Sequence, residues 1–87
     1  MRYAVVSGSG VIPFDLLRRA KAWPMREEDS RLLEAAGPCD PLVICLATDH
    51  GEWSAEEWSS FGWVVHPQLS WTDALSCRAR LQAEMVH

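Results

Sequence analysis

Hydrophobic positions in this chain alternate between short β-prone runs and longer stretches at helical spacing. Tyr3 to Val6 is a brief strand-like run that stops at Ser7-Gly8-Ser9-Gly10. Pro13 then suits a first helical turn, where its missing N–H costs nothing, and Asp15 favours the positive end of the helix dipole. Leu16, Ala20 and Trp23 give that helix one apolar face. Pro24 interrupts it, and a second helix carries Met25, Leu32, Leu33 and Ala36 on one side before the stop at Gly37-Pro38. Leu42 to Ala47 is continuously apolar, as in a strand buried on both faces, and ends at Thr48-Asp49-His50-Gly51.

The third helix has the clearest local signature. Ser54-Ala55-Glu56-Glu57 fits a capping box, with Ser54 as N-cap and Glu57 reaching back to it. Trp53 and Trp58 then occupy the two positions of a hydrophobic staple. Gly62 closes this helix, Trp63 to His66 forms the last strand, and Pro67 ends it. Ser70 caps a final helix with Asp73 at its third position, and Trp71, Ala74, Leu75, Leu81 and Met85 form its expected buried stripe.

The order β-α-α-β-α-β-α predicts one compact α/β domain over residues 1–87. Its expected core is a small, three-stranded, mainly parallel sheet with flanking helices, because alternation implies crossover connections. Helices this short leave apolar sheet surface over, which points to a homodimer. At 87 residues the chain has room for one domain and a thin core.

Composition narrows the function classes. Apolar residues make up 48% of the chain, the net charge is −4 and the pI is about 5.2. That balance argues against a nucleic-acid partner, which needs clustered Lys and Arg, and against an anionic membrane surface. An acidic face suits a basic protein surface instead. Three cysteines, an odd number with no C-x-x-C pair and no secretory signal, point to reduced thiols and a cytoplasmic protein. Cys45 and Cys77 read as small core residues, whereas Cys39, beside Pro38 and Asp40, reads as an exposed thiol. The longest clean apolar run, Leu42 to Ala47, is far short of a membrane span.

Chemistry is expected where a parallel sheet gathers it, beyond the carboxyl ends of the strands. Those ends carry Ser7, Ser9, Asp49, His50 and His66. In an enzyme, His50 or His66 would act as base, Asp49 would orient it, and the Ser7–Gly10 turn, Ser9 included, would hold an anion. The Ser-Gly-Ser-Gly turn falls short of a dinucleotide fingerprint, since Pro13 stands near the third glycine's place. Asp49, His50 and His66 have no recognised metal-ligand spacing, so neither metal nor cofactor is expected. The acidic run Glu27-Glu28-Asp29, with Glu34, reads as an ordinary solvated helix face.

Five tryptophans in so short a chain are the strongest compositional anomaly, and tryptophan is a common interface anchor. Trp53 and Trp63, together with Glu52, Glu56 and Glu57, form the expected protein-binding face. In length, acidity, its lone Lys21 and the series Trp23, Trp53, Trp58, Trp63 and Trp71, the chain resembles small accessory proteins of temperate bacteriophages. The resemblance implies a protein that docks on a host protein and inhibits or modulates it, and it assigns no residue a role. The binding module and the small strand-end enzyme are both open at this point.

Overall fold

A computed structural model of the chain describes residues 2–8, 27–36, 40–49 and 53–85. The expected first helix, Ser9, Trp23, Cys39, His50 and Glu52 lie outside the described residues. Three strands, β1 (Tyr3–Gly8), β2 (Leu42–Ala47) and β3 (Val64–Leu69), build one sheet. Three helices accompany them: α1 (Glu27–Ala35), α2 (Ala55–Ser60) and α3 (Trp71–Met85).

The sheet has the order β2-β1-β3, and both outer strands run antiparallel to β1. This overturns the mainly parallel sheet expected from the alternation of strands and helices. The alternation is real, and β2 and β3 do run parallel to one another. However, β1 lies between them in the opposite direction, so no two neighbouring strands are parallel. A fully apolar β2 signalled burial on both faces, and all six of its residues are buried. Burial on both faces does not depend on strand direction.

Period-two alternation divides the core between the faces. On one face Val6, Ile44 and Leu46 meet Trp58, Trp63 and Leu33, with Trp53, Val65 and Ala36 packed against them. On the other, Val5, Val43 and Cys45 meet Ala74, with Tyr3, Leu69, Leu81 and Met85 alongside. Thus α2 covers the first face and α3 the second.

Helix α1 joins the two. Asp29, Leu33 and Ala36 share one side of it at helical spacing. Leu33 enters the first cluster, while Asp29, fully buried, meets Arg78 of α3 with Nη2 2.9 Å from Oδ1. Arg78 also approaches Glu28, Nη1 to Oε1 at 3.1 Å. The acidic run at residues 27–29 is therefore not simply a solvated face. Asp29 sits in the apolar stripe and is matched by the one cation in the stripe Ala74, Arg78, Leu81, Met85. Leu32 and Trp71, both expected on apolar faces, are instead exposed. Trp71 leans on Tyr3, their ring centroids 5.0 Å apart.

The start of α2 follows its sequence closely. The Glu57 N–H donates to Ser54 Oγ at 3.4 Å, and Trp53 packs on the cluster that holds Trp58. Its end is a Schellman motif. The Gly62 N–H donates to the Ser59 carbonyl and the Trp63 N–H to the Trp58 carbonyl, with Gly62 at φ 90°. The motif's usual hydrophobic contact is supplied by Trp58 and Trp63, edge to face at 5.7 Å. Ser70 likewise caps α3, accepting from the Asp73 N–H at 3.2 Å.

Candidate functional site

The antiparallel sheet separates Ser7, Asp49 and His66, the described members of the expected strand-end cluster. Ser7 pairs with Val43 and Val64 at one end of the sheet. Asp49 follows β2 at the opposite end, where its Oδ2 accepts the Arg2 N–H at 2.6 Å. His66 stands between these ends, opposite Val5. From the register, His66 and Asp49 are two strand spacings, about 9.5 Å, apart across the sheet and about 13 Å apart along it. A base and its orienting carboxylate must share a hydrogen bond, and this pair does not converge. His66 Nε2 is buried without a hydrogen-bond partner. Among the described residues no group of His, Cys, Asp or Glu is placed to hold a metal ion, and no helix is long and apolar enough to cross a membrane.

The tryptophan face is also rearranged. Trp63 is only 5% exposed, wedged between Trp58 and the backbone of β1. A Cβ added at Gly8 would lie 2.9 Å from Trp63 Cε3, so the glycine provides the seat for the indole ring. An indole held this way packs chiefly as core. Trp53 is half-buried against the same cluster. Glu56 is exposed and Glu57 half-buried on α2. The large apolar side chains that do face solvent here are Phe61 and Val64, at 56% and 57% exposure. Neither stands out in the sequence. The signal for Phe61 was its place beside Gly62, since a residue at a helix C-cap has turned off the helix's buried side.

A shallow groove of about 660 Å³ lies between α2 and β3, lined by Glu56, Ser60, Trp63, Val64, Val65 and Pro67. One wall is β3, the outermost strand, which has no second neighbour among the described residues. Pro67 suits an edge, because it has no N–H to donate to a neighbour. The register slips by one residue between Tyr3 and Val5, and Gln68 takes φ 57° there, a bulge that breaks the edge after His66. The other outer strand, β2, is covered by α1, whose Leu32 lines a cavity with Leu42 and Val43. Among the described residues β3 is thus an edge strand with exposed apolar side chains beside it. No protein-family model matches the chain, and neither a curated protein nor a solved structure is significantly similar to it.

Proposed function

We propose that this protein acts by docking on another protein, through the surface where α2 meets the open edge of β3. The observation that carries this reading is a groove along an edge strand with Phe61 and Val64, each more than half exposed, at its start. Exposed large apolar residues clustered on a polar-rimmed surface are the usual mark of an interaction site. Glu56 and the serines of α2 supply that rim. Trp63 supports the surface from beneath, in place of the anchor role that its residue type suggested. The resemblance to phage accessory proteins adds the expectation that docking inhibits or modulates the partner.

Site-specific photo-crosslinking in the native host tests the proposal. A photoreactive phenylalanine analogue at position 61 or 64 is expected to give a discrete adduct. The same group at Leu32, exposed on α1, is expected to give none. No adduct at 61 or 64, or equal adducts at all three, would overturn the placement.

A further inference from the structure

The charge along the chain says what kind of partner this edge fits. Residues 32–77 contain seven Asp and Glu and not one Lys or Arg. That stretch supplies β2, α2 and β3, so both walls of the groove come from cation-free chain. Among the described residues, the remaining cations on neighbouring elements are Arg2, at the end of the sheet where Tyr3 meets Leu69, Arg78, buried against Asp29, and Arg80, on α3 at the other face of the sheet. Among the described residues, α2 and β3 therefore carry the acidic Glu56 and Glu57 and no Lys or Arg, and Glu56 lines the groove. Such a field attracts a basic partner and repels a second copy of the same acidic edge.

Resting on the docking surface described above, we propose that the contacting element of the partner is an extended segment bearing Lys or Arg, which adds to the sheet as a fourth strand along Val64–His66. An edge strand offers a row of backbone donors and acceptors, and strand addition is a general way to use them. The bulge at Pro67 and Gln68 limits pairing to about three residues, or roughly 10 Å of strand. Backbone pairing that short needs side-chain contacts as well. Alternate residues of the segment would lie over the groove floor at Val65 and Trp63, and a basic residue would reach Glu56. The side chain of Val64 would cover the segment from the other face.

The test starts from a random linear peptide library displayed on phage and selected on the immobilised full-length protein. Enriched peptides are then measured by fluorescence polarisation. The expected sequences alternate apolar residues with Lys or Arg. Binding is expected to weaken about tenfold with Glu56→Lys and to fall with added salt. N-methylation scanned along the peptide backbone is expected to abolish binding at every second position, because a paired strand directs alternate N–H groups to its neighbour. Uniform tolerance of N-methylation would refute strand addition, and so would the recovery of no peptide at all. In either case the adducts at positions 61 and 64 still judge the docking surface separately. A self-associated state by analytical ultracentrifugation that Val64→Lys dissolves would assign the edge to a second copy and likewise refute the proposal.

Discussion

Replacing Arg78 by methionine keeps most of the side-chain stem and removes the guanidinium that pairs with the fully buried Asp29 carboxylate. Breaking a buried pair from one side costs about 3–5 kcal/mol, because the remaining charge stays desolvated. A domain of 87 residues has a total stability of roughly 4–13 kcal/mol. The single change is therefore expected to remove a large part of it and to lower Tm by roughly 12–40 °C. The double variant Asp29→Leu with Arg78→Met removes both charges and fills the space with apolar atoms. It is expected to recover to near the parent, since well-packed apolar replacements of buried pairs are often neutral or stabilising. Glu28→Gln removes the half-exposed partner of the same guanidinium and is expected to cost less than about 1 kcal/mol. Urea unfolding followed by circular dichroism, with m compared across the set, gives all the terms of the cycle. If Arg78→Met cost less than about 1 kcal/mol, or the double variant were no more stable than the single, the buried pair would not join α1 to α3 as argued.

Gly8→Ala is expected to cost about 1–3 kcal/mol in the same assay, because the new methyl meets the Trp63 ring, which is itself buried. Gly62→Ala is expected to cost about 1–2 kcal/mol from backbone strain alone, since open space surrounds that position and only its φ of 90° resists a side chain. Ser54→Ala is expected to cost about 1 kcal/mol through the lost cap of α2. In a Cys39→Ser variant, half-buried Cys77 is expected to react with a thiol reagent at least about tenfold faster than buried Cys45. Equal rates for the two thiols would contradict the packing of β2 against α3.

Local order was legible where the interactions that create it are local. Ser54 and Ser70 each cap a helix through a bond three residues away, and Gly62 ends α2 within two residues of its last turn. The six buried positions of β2 could be read from an unbroken apolar run. Reading Pro67 as a stop failed because an edge strand does not need the missing N–H, so β3 runs through it to Leu69. The burial of Trp63 was not legible locally, because it depends on Gly8, fifty-five residues earlier, having no side chain.

Among the described residues, the sequence by itself determined which segments form strands and helices, how α2 and α3 are capped and how charge is distributed along the chain. Each of these depends on residues within a turn or two of one another. The order and direction of the strands depended on contacts that cross the chain. Only the tertiary structure set β1 antiparallel between β2 and β3. That one choice separated Asp49 from Ser7, placed a cation-free edge beside Phe61 and Val64, and brought Asp29 to Arg78. Apolar alternation specifies which side of a strand is buried, and it is satisfied equally well by a parallel or an antiparallel neighbour.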